Sequence, residues 1–270
     1  MKKALFAFAI LGMASPAFAE ETAPPKKITV NGSVTLVNDY RFRGVSQTDE
    51  ELALQGSITA THESGFYVGA WASNLAGWGQ FGGANLELDL IGGYKRNIGG
   101  ATVDVGITWY TYPGGSDNTD FAEPYVKVSG SAGPVSVLAG VAYAPSQQAL
   151  GNVSSTPESR VGDSEDNLYL WGDASTAIPG TPLTAKAHLG YSDGNPGLGP
   201  NGTSVAPTGT YLDYLVGVDF TLAPVTLGIA YVGTNIDFNR TGYLQPNFSS
   251  TKDGSSISNG KVLFSITAAF

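Results

Sequence analysis

The sequence predicts an all-β protein, a transmembrane antiparallel up-and-down β-barrel of about twelve strands, with short turns at one end and long loops at the other. Apolar residues recur at every second position, which places them on one side of a pleated strand. Only 14% of the 270 residues are charged while 36 are glycine, so apolar residues are interleaved with small polar ones. The connections between these segments are alternately short and long.

The N-terminus has the pattern of an export signal. Lys2 and Lys3 precede an apolar run over 4–13, and Ala17 and Ala19 are the small residues that signal peptidase accepts. The run is shorter than the roughly 20 residues that a membrane-spanning helix needs, so we expect cleavage after Ala19. The expected organisation is a signal peptide over 1–19, a short periplasmic segment over 20–29 and a barrel in the bacterial outer membrane over 30–270.

Twelve segments carry the alternation. The first runs on one parity from Val30 through Val34 and Leu36 to Phe42, with polar residues on the other parity. Pro124 interrupts the sixth segment, because proline cannot donate a ladder hydrogen bond, and the eighth alternates least regularly. The later segments lie at 52–60, 66–74, 86–94, 103–109, 123–128, 135–143, 166–177, 183–191, 212–220, 225–231 and 262–270.

Short connections alternate with long polar ones along the chain. Outer-membrane barrels have short periplasmic turns, longer extracellular loops and an even number of strands. The alternation of connections therefore predicts the two ends of such a barrel. The short connections lie at 62–65, 95–100, 130–133, 178–182 and 222–224, and the long ones at 44–51, 75–84, 113–120, 146–165, 192–210 and 238–260.

Aromatic residues favour a lipid-facing exterior over the surface of a soluble β-sandwich. Two rows of aromatic rings one bilayer apart are the expected interface girdles of a membrane barrel. The alternative, that these are ordinary aromatics at the ends of core strands, explains their shared parity less well. They are Tyr40, Trp109, Tyr143, Tyr191 and Tyr231 at the loop end, and Tyr94, Phe220 and Phe270 at the turn end.

Composition excludes several function classes. The chain has no cysteine, which excludes disulfides, cysteine nucleophiles and cysteine-ligated metals. It has 14 Lys+Arg against 23 Asp+Glu, a net charge of -9, which argues against nucleic acid as a partner. No cofactor is implied.

The polar parity is small and hydrophilic, as expected of a barrel lumen. Twelve strands lie between barrels of about eight, which side chains fill, and porins of roughly sixteen or more, which hold a water channel. We expect the mixed lumen charges and the acidic loop clusters 49–51 and 163–166 to give weak selectivity for cations. The predicted lumen residues are Arg41, Arg43, Lys127, Lys186 and Lys261 with Glu87, Asp89, Asp104, Glu123, Asp213 and Asp219.

Glu87 and Asp89 form a predicted pair of lumen carboxylates. They lie two residues apart on one strand, so both project to the same face. Arg41 and Arg43 are the natural partners opposite them. Such a network either stiffens or plugs the lumen, or forms a constriction that discriminates solutes by transverse charge, and the sequence leaves both interpretations open.

An outer-membrane enzyme is the competing class. His188, on the lumen parity, could meet Asp213 across a strand pair, but no nucleophile or second acid accompanies them. His62, the other histidine, is expected to be a hydrogen-bonded turn residue. The acidic run 163–167 could bind calcium or be a solvated loop. We therefore expect a protein that is not an enzyme.

Three stretches resemble a known family. VNDYRFRGVSQT at 37–48, HESGFY at 62–67 and YTYPG at 110–114 are similar to motifs of the TorF-like family of outer-membrane porins. The similarity is dense from about Val34 to Gly114 and loose beyond, and Asn38 departs from the serine of many relatives. The resemblance implies the barrel fold and a porin role.

The expected function is passive diffusion of small hydrophilic solutes or ions, with a weak preference for cations. The alternative is a closed structural, receptor or adhesion barrel that acts through its extracellular loops. Expected partners are outer-membrane lipid and lipopolysaccharide, and the barrel-assembly machinery through the C-terminal strand that ends at Phe270. The sequence leaves open whether the barrel forms a homo-oligomer.

Overall fold

The computed structural model describes residues 27–152, 160–195, 204–237 and 248–270. The predicted signal peptide and parts of three long connections, at 153–159, 196–203 and 238–247, lie outside the described residues. Within the described ranges, no helix is long and apolar enough to cross a bilayer.

Twelve antiparallel strands form one closed barrel, as predicted. Each strand pairs with its neighbour along the chain, and the first pairs with the last to close the sheet. A separate two-stranded hairpin, β2 with β3, lies outside this sheet, and short 3₁₀ turns cover 77–83 and 148–150. The strands are β1 Ile28–Val37, β2 Arg41–Phe42, β3 Val45–Ser46, β4 Ala53–His62, β5 Phe66–Asn74, β6 Leu86–Ile98, β7 Ala101–Thr111, β8 Phe121–Ala132, β9 Val135–Gln147, β10 Glu165–Ala177, β11 Leu183–Gly194, β12 Tyr211–Leu222, β13 Val225–Thr234 and β14 Lys261–Ala269.

Apolar side chains face outward along the strands, which confirms the predicted parity. Val68 is 64% exposed, Phe264 58% and Ile58 51%. The inward positions carry polar side chains, glycine and aromatic rings such as Trp71 and Tyr125 instead. A contiguous apolar surface of this kind is unfavourable in water and is the exterior expected of a membrane barrel.

Two segments with irregular patterns are full strands. Pro124 lies within β8 and pairs with Ile107 of β7, whereas the ladder from β8 to β9 begins only at Tyr125. Proline is tolerated where a strand has no partner on one side. The eighth predicted segment is the 13-residue strand β10.

The first predicted strand is too long. β1 begins at Ile28, two residues before the expected start of the barrel, and it ends at Val37 instead of continuing to Phe42. The chain then turns into the hairpin of β2 and β3, because the Asp39 carboxylate accepts hydrogen bonds from Ser46 Oγ at 2.5 Å and Arg41 Nε at 2.7 Å.

The prediction that Tyr40 belongs to an aromatic girdle is therefore wrong. Tyr40 lies after the end of β1, is only 2% exposed and packs inside the barrel against Trp71. The outward placement of Trp109, Tyr143 and Tyr231 is confirmed, since each is 44–50% exposed. Phe270 is exposed as predicted, and Tyr94, Tyr191 and Phe220 are half-buried.

Candidate functional site

The barrel lumen is the candidate site, and apolar side chains from three long loops pack together at its loop end. Val45 of the hairpin, Trp78, Phe248 and Ile257 are all buried in one cluster, which we call the loop-end cap. The Trp78 and Phe248 rings meet edge to face at 4.9 Å. Because three separate connections contribute to the cap, the loops form one packed unit at this end.

Ion pairs fix the hairpin beneath the cap. Arg41 Nη2 lies 2.9 Å from Glu50 Oε1, and Lys261 Nζ contacts the other oxygen of the same carboxylate. Arg41 Nε also contacts Asp39. Burial raises the pKa of the Asp39 carboxyl, although the charge of Arg41 opposes this shift. Arg41 and Lys261 therefore contact the loop carboxylates Asp39 and Glu50, and the predicted pairing of Arg41 with Glu87 and Asp89 is wrong.

Arg43 at the hairpin turn extends into the lumen. Its Nη2 lies 2.6 Å from Glu123 Oε1 of β8, and its guanidinium carbon lies 4.0 Å from the centre of the Tyr169 ring of β10. The side chains of Arg43 and Glu123 are only 7% and 5% exposed. Tyr110 donates a hydrogen bond to the second oxygen of Glu123 at 3.3 Å.

The partners predicted for Glu87 and Asp89 are wrong. Both carboxylates face the lumen from β6 and are 2% and 3% exposed. Glu87 accepts a hydrogen bond from the Tyr40 hydroxyl at 3.0 Å, while Oδ1 of Asp89 has no hydrogen-bond partner among the described residues. The backbone at Arg43 has a φ of +49°, and the hairpin turn presents its side chain to Glu123 instead.

His188 joins three strands inside the barrel. Its Nε2 lies 2.9 Å from Asp213 Oδ1, which confirms the predicted meeting, and its Nδ1 lies 2.8 Å from Asp173 Oδ1. The Tyr169 hydroxyl donates to Asp213 at 3.0 Å. Asp173 was missed by sequence reasoning, although its inward parity and its position directly opposite His188 in the ladder identify it.

The turn-end half of the lumen carries two ion pairs that are partly exposed. Lys127 Nζ lies 3.2 Å from Asp104 Oδ2, and Lys186 Nζ lies 2.6 Å from Asp219 Oδ1. The four side chains are 19–25% exposed, so water reaches this part of the lumen. These four predicted lumen residues therefore face inward as expected, whereas their role as pore lining stays a prediction.

Aromatic rings lie flat on the inner wall because glycine stands beside them. Tyr125 of β8 covers Gly106 of β7, and Trp171 of β10 covers Gly140 of β9. A Cβ atom at either glycine would collide with the ring. The sequence signal for this arrangement is a glycine on the inward parity directly opposite an aromatic residue.

Two further sequence candidates have local roles in the structure. His62 Nδ1 lies 2.7 Å from Ser64 Oγ, which confirms a hydrogen-bonded turn residue. In the acidic run, Asp163 accepts from the backbone of Arg160 and Asp166 accepts from the Tyr143 hydroxyl. Among the described residues, no group of three or more His, Asp or Glu could hold a metal ion, and cation binding by this loop stays a prediction.

Comparison with known proteins supports the fold. The sequence matches a family described as "Bacterial protein of unknown function (Gcw_chp)" over residues 19–270. No curated protein matches the chain. The NanC porin structure is similar with a TM-score of 0.52 and 10% identity, covering 90% of this chain and 99% of that one. A KdgM porin in complex with disordered oligogalacturonate has a TM-score of 0.51 and 8% identity, covering 89% and 98%.

Proposed function

Since the chain belongs to the Gcw_chp family of bacterial proteins of unknown function, we propose that it is a porin-like channel of the outer membrane. Small hydrophilic solutes or ions diffuse through it passively, as the resemblance to TorF-like porins implies. The observation that carries this proposal is the water-accessible, charged lumen at the turn end, enclosed by a wall whose outside is apolar. A lumen of this kind conducts ions when its loop end opens.

The proposed preference for cations follows from the lumen charges. Among the residues that the structure describes, carboxylates on the inward face of the strands outnumber the inward bases. Fixed negative charge in a low-dielectric channel raises the local concentration of cations. The inward carboxylates of the strands are Glu87, Asp89, Asp104, Glu123, Asp173, Asp213 and Asp219, against the inward bases Lys95, Lys127, Lys186, His188 and Lys261 of the strands and Arg43 of the hairpin.

The loop-end cap favours a second candidate. A barrel whose mouth is filled by buried Trp78, Phe248 and Ile257 would act as a closed structural or receptor barrel through its loops. The two candidates differ in conduction. Single-channel recordings in a planar bilayer with a salt gradient separate them, since the channel predicts discrete open steps and a modest preference for cations. Silence from protein with the gel mobility of a folded barrel would support the closed candidate.

Export and assembly are part of the proposal. Cleavage after Ala19 would deliver the barrel to the periplasm, and the C-terminal strand would be recognised for insertion into lipid and lipopolysaccharide. Phe270 supports this role, because its backbone pairs with Gly32 of β1 at 2.8 and 2.9 Å. Its ring is 67% exposed beside the closing seam of the barrel. Deletion of Phe270 is expected to reduce folded barrel in the outer membrane of cells, and normal levels would contradict this.

A further inference from the structure

The backbone of the hairpin presents one cation to the lumen wall. Arg43 has a φ of +49° and Gly44 one of +81°, so both residues at the turn are in the left-handed region. A non-glycine residue rarely adopts this conformation. The turn brings Arg43 to β8 and β10, although its hairpin neighbour Arg41 remains within the ion pairs of the loop.

The wall groups that surround Arg43 are positioned by other contacts. Glu123 Oε2 accepts from the Tyr110 hydroxyl, and the Tyr169 hydroxyl donates to Asp213. The carboxylate of Glu123 and the ring face of Tyr169 are therefore held in place by groups other than Arg43. A carboxylate and an aromatic face together suit a planar guanidinium, which donates to the first and stacks on the second.

Two further carboxyl groups lie on the wall near this place. Glu87 and Asp89 stand on the same side of the lumen as Tyr110, with Asp89 directly opposite Tyr110 in the β6–β7 ladder. Asp89 is 3% exposed and its Oδ1 has no hydrogen-bond partner among the described residues. The loop-end half of the lumen therefore holds two further buried carboxyl groups on the wall beside Tyr110.

We propose that Glu123, Tyr110 and Tyr169 form a binding site for the guanidinium group of a small solute. Arg43 occupies this guanidinium site from within the chain, as a tethered ligand that an incoming cation displaces. The occupied site also anchors the hairpin beneath the loop-end cap, so displacement frees the hairpin. That the bound solute passes through the barrel rests on the proposed channel function, whereas binding itself does not.

Removal of the tethered ligand tests the site. The barrel with Arg43→Ala, folded in detergent micelles, is titrated with methylguanidinium in a calorimeter. We expect it to bind at least about tenfold more tightly than the wild type, in which Arg43 competes for the site. Lys186→Ala is the matched control, because it removes one lumen cation from Asp219 and leaves the guanidinium site occupied. It is expected to bind like the wild type.

Two further variants identify the groups that bind. The double variant Arg43→Ala/Glu123→Gln is expected to lose the gain in affinity. Arg43→Gln, which preserves more of the side chain, is expected to behave like Arg43→Ala. A folded Arg43→Ala barrel that binds no better than the wild type, or a double variant that keeps the gain, would overturn the proposal.

Folding and probe controls complete the test. If Arg43→Ala does not fold alone, methylguanidinium in the refolding buffer must restore the gel mobility of the folded barrel, and failure of this rescue also overturns the proposal. Tetramethylammonium, which donates no hydrogen bond, is expected to bind more weakly, and equal binding would contradict the assigned contact with Glu123. Since binding is measured in micelles, a silent bilayer recording would refute the channel and leave the site intact.

Discussion

The loop-end and turn-end halves of the lumen are built from the same alternating strands but have different interiors. At the loop end, Arg43 and Glu123 form an ion pair below 10% exposure, among aromatic rings and under the cap. At the turn end, Lys186 and Asp219 pair at 23% and 22% exposure. The difference shows that the inward hairpin and the aromatic rings of the wall together shield the loop-end ion pair from water, whereas the turn-end pair stays partly exposed.

Breaking the loop-end ion pair is expected to have the largest effect on stability. Glu123→Ala leaves the buried Arg43 without its carboxylate, which typically costs about 3–5 kcal/mol of unfolding free energy. Urea unfolding in lipid vesicles, followed by tryptophan fluorescence, measures this loss. Glu63→Ala at an exposed turn is the control and is expected to change stability by less than about 0.5 kcal/mol. A similar loss of unfolding free energy in both variants would contradict the expected difference between the buried ion pair and an exposed turn.

The inner wall between the two halves is tested by filling a glycine. Gly140→Ala is expected to cost about 1–3 kcal/mol, because the new methyl group collides with the Trp171 ring. The displaced ring would also narrow the lumen and lower the single-channel conductance. Gly172→Ala is the matched control, since its Cβ would lie 3.7 Å from the nearest atom, the Leu138 carbonyl oxygen. Equal stability of the two variants would show that the ring has room to move.

Selectivity is expected to depend on the loop-end half. Neutralising Glu87 and Asp89 together, as Glu87→Gln/Asp89→Asn, removes two buried lumen carboxylates and is expected to reduce the preference for cations. The reversal potential under a salt gradient measures this change. Glu63→Gln/Asp253→Asn removes the same charge from exposed positions and is the control. An unchanged reversal potential in the Glu87/Asp89 variant would contradict the expected role of these two carboxylates in cation preference.

The smallest effect is expected at the turn end. Lys186→Ala breaks an ion pair that is partly exposed to water, and such pairs contribute about 0–1 kcal/mol. The same unfolding titration applies to this variant. If Lys186→Ala lowered the unfolding free energy as much as Glu123→Ala, the loop-end and turn-end ion pairs would not differ in strength as their solvent exposures indicate.

The strands were predictable because their signal is local. Side chains alternate with the pleat, so the parity of Ile58, Val68 and Phe264 is readable without any knowledge of partners. His188 and Asp213 were also predictable, since inward parity on neighbouring strands brings them together. Asp173 follows from the same rule once the β10–β11 register is known.

The hairpin was not predictable in the same way. Its own strands are extended, so the alternation from Val30 continues past the true end of β1 and assigns Tyr40 and Phe42 to the outside. The chain leaves β1 at a bend over 38–39, and the left-handed turn at Arg43 and Gly44 then reverses it. Alternation does not reveal such a reversal, because it reports the spacing of side chains and not the direction of the backbone.

The sequence by itself determined the closed twelve-stranded barrel, its apolar outside and its two unlike ends. The tertiary structure decided that three loops pack together at one end of the barrel, that Arg43 meets Glu123 and Tyr169, and that Asp89 Oδ1 has no hydrogen-bond partner within the described part of the chain. The physical reason is the separation along the chain over which each effect acts. Pleat and turn length act over a few residues, whereas these contacts join residues far apart in the chain, which only the closed barrel brings within reach.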